Sequence, residues 1–219
     1  MLYNISILKE KTMIKIIFCV VVFSIIALAG AGAYHLYQVK QKNLAEMAQF
    51  ENNIALNADL GRVLVVYYSL TGHTKDIAMQ IKAKTNADVY EIQTLKSYTS
   101  PSVYLESKKE LKNRDYPELK KGFKPNMANY DIIFVGSPVW WYTMTPALYA
   151  FLQNIDFKGT RVAPFSTQGS NPGTFFKDFT AHAQNATIVT SESFNNMDDS
   201  FAPQISNKIN AWLNKLAAE

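Results

Sequence analysis

The residues best suited to chemistry are Ser69-Leu70-Thr71-Gly72-His73-Thr74. They follow Val63-Leu-Val-Val-Tyr-Tyr68, an apolar β-forming run, and precede a helical pattern carrying Ile77, Ala78 and Ile81. The stretch is therefore expected to turn a buried strand into a helix. The first N–H groups of a helix lack internal partners and carry partial positive charge. With hydroxyls at 69, 71 and 74 beside them, a phosphate is the fitting guest. Gly72 lets the backbone approach that guest closely. No lysine stands in the turn and the Gly-x4-Gly-Lys-Ser/Thr pattern is absent, which argues against a nucleoside triphosphate. The same residues also suit a plain Ser/Thr-rich helix cap. Ser69 has no nucleophile-elbow pattern around it, which argues against a hydrolase. His73 is expected to occupy a variable loop position rather than to act as a catalytic acid.

Two later stretches carry unusual chemistry. Ser137-Pro138-Val139-Trp140-Trp141-Tyr142 follows a second apolar run. Adjacent side chains of an extended chain point opposite ways, so both indoles cannot enter one core. A flat aromatic ligand would account for at least one of them by stacking, and Trp141 or Tyr142 is expected to supply that ring before Trp140. The alternative is a Trp that caps the sheet beside a partly exposed neighbour. Thr167-Gln168-Gly169-Ser170, continued by Asn171-Pro172-Gly173, offers backbone N–H groups and hydroxyls around two glycines. It suits either the polar edge of such a ligand or a flexible connection.

The elements that must position these stretches alternate in type. Strands are expected at 62–68, 88–92, 130–135, 160–166 and, weakly, 187–190. Helices are expected at 74–84, 146–154, 174–182 and 201–216, with a solvated helix near Glu106–Lys112 inside a polar insert at 93–128. Five strands alternating with helices imply an α/β, doubly wound parallel sheet, whose ligands bind beyond the carboxyl ends of the strands. An apolar content of 48% is ample for a core. From residue 58 onward 17 basic side chains face 15 acidic ones, too even and too scattered for nucleic acid. The single cysteine, Cys19, excludes an internal disulfide and a Cys-x-x-Cys centre. His35 and His182 stand in no metal-ligand spacing. Asp198-Asp199 reads as a solvated acidic pair.

Residues 16–34 form an apolar run broken only by Ser24. As a helix it would span roughly 28 Å, about one hydrocarbon core. Lys9, Lys11 and Lys15 precede it and Lys40 and Lys42 follow it, which favours a cytoplasmic N-terminus and a non-cytoplasmic domain. The expectation is a single-pass membrane anchor at 1–37, a juxtamembrane stalk at 38–58 and the α/β domain at 59–219. A cleaved signal ending near Ala29 or Ala33, with a secreted product, is the alternative.

The order of phosphate turn, aromatic stretch and Gly/Ser loop resembles the flavodoxin-like family, from about Arg62 to Trp212. Ser69, Thr71, Gly72 and Thr74 fill the fixed positions of its Ser/Thr-x-Thr-Gly-x-Thr turn. One branch is especially similar, through Tyr130-Asp131, Gly136, Pro138, Trp140-Trp141, Phe151-Leu152, Asp156-Phe157-Lys158-Gly159 and Pro164-Phe165-Ser166-Thr167. The resemblance implies strand order 2-1-3-4-5 and an FMN cofactor held by residues 69–74, 137–142 and 167–170. It implies electron transfer or flavin-dependent reduction, with a redox partner protein or a quinone as acceptor. No Gly-x-Gly-x-x-Gly is present for a pyrophosphate, so FMN is expected and not FAD. His73 stands where the family commonly has asparagine. Gly169-Ser-Asn-Pro-Gly173 replaces a Gly-Gly-Ser-Gly, and Pro172 removes one N–H donor. An NAD(P)H-dependent quinone reductase and a tethered module without cofactor are the alternative functions.

Overall fold

The computed structural model of the chain describes residues 2–99, 102–120, 125–196 and 199–219. The chain divides into two compact units, residues 1–46 and 47–219. Helix α1 (Leu2–Ala48) supplies the first. From Met13 to Ala48 it is long and apolar enough to cross a membrane, and its large apolar side chains from Met13 to Tyr37 are exposed.

The second unit is a sheet between two helical layers. Among the described residues the sheet has seven strands, not the expected five: β1 (Val63–Tyr67), β2 (Asp88–Glu91), β3 (Ile132–Trp140), β4 (Thr143–Met144), β5 (Arg161–Gln168), β6 (Thr187–Ile188) and β7 (Glu192–Asn195). The path runs β2-β1-β3-β5-β6, all parallel, with β7 also parallel to β5 and β4 antiparallel to β3. Five positions in the expected order thus persist, and the fifth is shared by β6 and β7. The cause lies at Thr190, whose backbone leaves the sheet. Its carbonyl accepts from Trp212 Nε1 at 2.9 Å and its N–H donates to the Glu219 carboxylate at 3.1 Å.

Strand β1 is buried along its whole length, as a central parallel strand covered on both faces must be. Successive side chains alternate between the faces. Leu64 and Val66 join Ile133 and Val135 of β3 in one core, while Val63, Val65 and Tyr67 join Ile132 and Phe134 in the other. Helices α3 (Val103–Asn113), α4 (Pro146–Gln153) and α5 (Phe175–His182) contribute to the first core. Helices α2 (His73–Thr85) and α6 (Ala202–Ala217) contribute to the second, centred on Trp212 against Phe134 at 5.0 Å. Gly136 is required by this packing, because a Cβ there would lie 2.2 Å from the Phe165 ring.

Residues 50–57, read from the sequence as stalk, run along α6. Asn207, Asn210 and Asn214 stand at helical spacing on one side of it. Asn207 Nδ2 donates to the carbonyls of Phe50 and Asn52, Asn210 Nδ2 to Ile54, and Asn214 Nδ2 to Ala55. The Asn207 and Asn214 oxygens accept from the Ile54 and Asn57 N–H groups. Toward residues 50–57 the amides read main chain only, while the Asn210 oxygen accepts from Lys84 Nζ at 2.7 Å.

Candidate functional site

The three chemistry-bearing stretches meet at the carboxyl ends of β1, β3 and β5, around the point where the strand order reverses. The turn after β1 is made by its own backbone. Gly72 has φ +103° and is the N-cap of α2, with no side-chain cap. Its N–H donates to Ser69 Oγ at 3.2 Å, and its carbonyl accepts from Asp76 N–H. The N–H groups of His73, Thr74 and Lys75 precede that first helical bond and so have no partner within the helix. Leu70, Thr71 and His73 are exposed, and Thr74 is buried. The Thr74 hydroxyl pairs with that of Thr167 at 2.7 Å, tying the turn to β5.

The aromatic stretch is not a loop. Strand β3 continues through Ser137, Pro138, Val139 and Trp140, then reverses into β4, pairing Val139 with Met144 and Trp140 with Thr143. Trp141 and Tyr142 alone make the connection, at φ +53° and +62°. Two-residue hairpins favour positive φ at both central positions, ordinarily with Asn-Gly or Gly-Gly. For bulky side chains this conformation costs about 1–2 kcal/mol per residue, so surrounding contacts must impose it.

Those contacts come from both sides. Trp141 Nε1 donates to the Tyr104 carbonyl and to Ser107 Oγ, each at 3.1 Å, on α3. Lys108 Nζ stands 4.8 Å from the centre of the Trp141 ring. On the other side, Thr174 N–H donates to the Tyr142 carbonyl at 2.7 Å. The Asp178 carboxylate accepts from Thr143 and Thr174, both at 2.5 Å. Gly173 passes so near that a Cβ would lie 2.2 Å from the Tyr142 carbonyl oxygen. Trp140 points the other way. Its ring meets Tyr98 at 5.3 Å and Tyr68 at 5.9 Å, both edge to face, at the rim of the core.

The third stretch also differs from its reading as a loop. Thr167 and Gln168 end β5 and are buried. The Gln168 amide is turned inward, accepting from Ser166 Oγ at 2.9 Å and donating to Asn195 Oδ1 at 3.2 Å. Gly169 is exposed and Ser170 half-buried. Ser137 is buried, its hydroxyl donating to the Pro138 carbonyl. Between the aromatic turn and the end of β5 lies an open cleft of 220 Å³, lined by Tyr104, Val139, Trp141, Tyr142 and residues 168–171. It is smaller than the ~300–1,000 Å³ usual for enclosed ligands, and suits a flat group with one edge in solvent.

Nearby phenols are poor bases. Burial, and then the Glu110 charge, push the Tyr68 hydroxyl far above its ordinary value. Burial does the same for Tyr98, whose hydroxyl donates to Glu110 at 2.6 Å. Burial pushes Tyr149 up to about 12, although its bond to Thr143 works the other way. These groups remain protonated donors at neutral pH. Tyr104, Ser107 and Asp178 escaped the sequence reading, and Gly173 was read only as part of the Gly/Ser loop, because their part is to hold other residues and no spacing announces it. Asp198 lies outside the described residues.

The arrangement defines a doubly wound α/β protein with an anion-suited helix N-terminus beside an aromatic-walled cleft. The chain belongs to the flavodoxin family, whose model matches residues 62–215. A candidate flavoprotein from Bacteroides uniformis is 26% identical with a TM-score of 0.59, over 70% of this chain and 98% of that one. Another, from Bacteroides eggerthii, is 28% identical with a TM-score of 0.58, over 72% and 98%. A Lactobacillus acidophilus flavoprotein in complex with FMN shares the fold at 22% identity, with a TM-score of 0.55, over 66% and 98%. No curated protein matches the chain.

Proposed function

We propose that the domain binds FMN and passes electrons through it, and that residues 16–34 tether it to a membrane. The single observation that carries the FMN reading is the uncapped start of α2. Its unpartnered N–H groups lie behind a Gly72 whose φ would strain any other residue, one strand from an aromatic wall. The similar Lactobacillus acidophilus structure, a complex with FMN, supports the choice of ligand. FMN, when bound, would supply reversible redox chemistry that the side chains here lack.

The chain's own residues bind and shield. Ser69, Thr71, His73 and Thr74 surround the phosphate with hydroxyl and N–H donors, and Leu70 and Gly72 shape the turn. Trp141 or Tyr142 would supply the ring that stacks on the flavin, while Trp140 packs against Tyr68 and Tyr98 at the rim of the core. Gly169 and Ser170 offer backbone donors to its polar edge, and Thr167 and Gln168 fix the strand end that presents them. Apolar walls disfavour added negative charge, which lowers the flavin's potential. The raised phenols stay protonated at neutral pH and do not serve as bases. Mass spectrometry of ligand released from the purified protein tests this. FMN is expected, and recovery of FAD, or no uptake of added FMN, overturns it.

One observation favours a second reading. The cleft has aromatic side chains on the hairpin side and none among residues 168–171. An uncovered flavin face would admit a quinone or a nicotinamide, as in an NAD(P)H-dependent reductase. Stopped-flow mixing of the FMN-loaded protein with NADH or NADPH separates the two. Reduction within seconds, followed by turnover with a quinone, makes it a reductase.

The tether rests on the length and apolarity of α1. Carbonate-washed membranes should retain the full chain, whereas a soluble product beginning near Gly30 or Tyr34 would mean a cleaved signal.

A further inference from the structure

We propose that the outward face of α3, with the Trp141–Tyr142 turn beside it, docks onto an anionic phospholipid surface. At 100° per residue the helix sorts its side chains sharply. Val103 and Ser107 face inward and are buried. Glu106 and Glu110 lie on one flank, where Lys96 pairs with both and Tyr98 donates to Glu110. The remaining sector holds Tyr104, Leu105, Lys108, Lys109 and Lys112 and no acid. Leu105 is 76% exposed and Tyr104 62%, and the same surface continues into Tyr142 at 63% and Trp141 at 42%. Lys108 links the two parts by standing over the Trp141 ring.

Aromatic rings with polar tips, a bare leucine and three lysines make the composition of a bilayer interface. The lysines match the charge of anionic headgroups, each worth an attraction of about fivefold near such a surface. A protein partner fits less well, because lysine is depleted from protein interfaces. The choice of lipid rests also on the tether proposed above, which would bring the chain to a membrane. Docking would set the open side of the cleft toward lipid-dissolved acceptors, but the surface itself is argued without the flavin.

The test uses the full chain in vesicles, with Cys19→Ser and Leu105→Cys carrying an environment-sensitive nitrobenzoxadiazole label. In an equal mixture of phosphatidylcholine and phosphatidylglycerol the label should shift to the blue and brighten about twofold or more, as on entering an interface. The same label at Lys82→Cys, on α2 beyond the opposite sheet face, should stay aqueous. Lys108→Glu, Lys109→Glu and Lys112→Glu together should weaken docking by at least about 100-fold. All three lysines are exposed, so circular dichroism should be unchanged. Phosphatidylcholine alone, or high salt, should restore the aqueous signal. An unshifted Leu105→Cys label in the anionic vesicles, equal signals at both positions, or indifference to charge reversal each overturns the proposal and leaves the face to an acidic protein.

Discussion

The two ends of the candidate flavin site are built on opposite principles. The turn at 69–74 is local: Gly72 supplies the φ, Ser69 caps its N–H, and α2 supplies the remaining donors. The turn at 141–142 is imposed: two aromatic residues hold a conformation that suits glycine, because α3 grips one side and Gly173, Thr174 and Asp178 the other. A local turn can lose its function without loosening the fold. An imposed turn cannot be disturbed without drawing on the contacts that impose it.

Substitutions at the two glycines should expose this difference most strongly. Gly173→Ala drives a Cβ into the Tyr142 carbonyl at positive φ, and should destabilise the protein by about 3 kcal/mol or more in urea unfolding. Gly72→Ala meets no atom nearer than Asp76 Oδ2 at 4.0 Å. Its stability cost should stay near the ~1–3 kcal/mol of a sparsely populated backbone conformation, without the added clash. FMN affinity, measured by fluorescence titration, should nevertheless fall on the order of 100-fold, the worth of one or two charge-assisted hydrogen bonds. The reverse ranking, with Gly72→Ala unfolding first, would break the comparison.

Ser107→Ala sharpens it. Trp141 keeps the Tyr104 carbonyl and loses one acceptor, a change of about 1 kcal/mol. Flavin affinity should drop about fivefold with the same phosphate contacts intact, and the indole emission should shift to longer wavelength. An unchanged affinity would show that α3 does not control the ring.

The smallest effect at neutral pH appears only in alkali. Tyr67, just before the phosphate turn, and Tyr149, which contacts Thr143 behind the aromatic turn, are both pushed up to about 12, mainly by burial. Folding therefore favours the protonated phenols. That stability is complete below pH ~10, the value in the unfolded chain, and is lost as pH climbs through 12. Absorbance at the phenolate band and far-ultraviolet dichroism should change together over that interval. A phenolate signal near pH 10 in the still-folded protein that is lost in Tyr67→Phe or Tyr149→Phe would contradict it.

Most of the sheet was legible in the sequence, because each central strand is a short apolar run that must be covered on both faces. The strand order came with the family resemblance and not from any run of residues. The phosphate turn was legible for a related reason: its hydroxyls, its glycine and the helix behind it are neighbours along the chain. Folding contributed what depends on distant partners. It bent Trp141 and Tyr142 into left-handed conformations against residues more than thirty positions away on either side. It turned Gln168 inward to Asn195 and divided the last strand where Thr190 meets Trp212 and Glu219. It laid residues 50–57 along three asparagines of α6, which no apolar pattern could announce. Local propensity and burial are written residue by residue, whereas a side chain that holds another acts only where the fold has brought the two together.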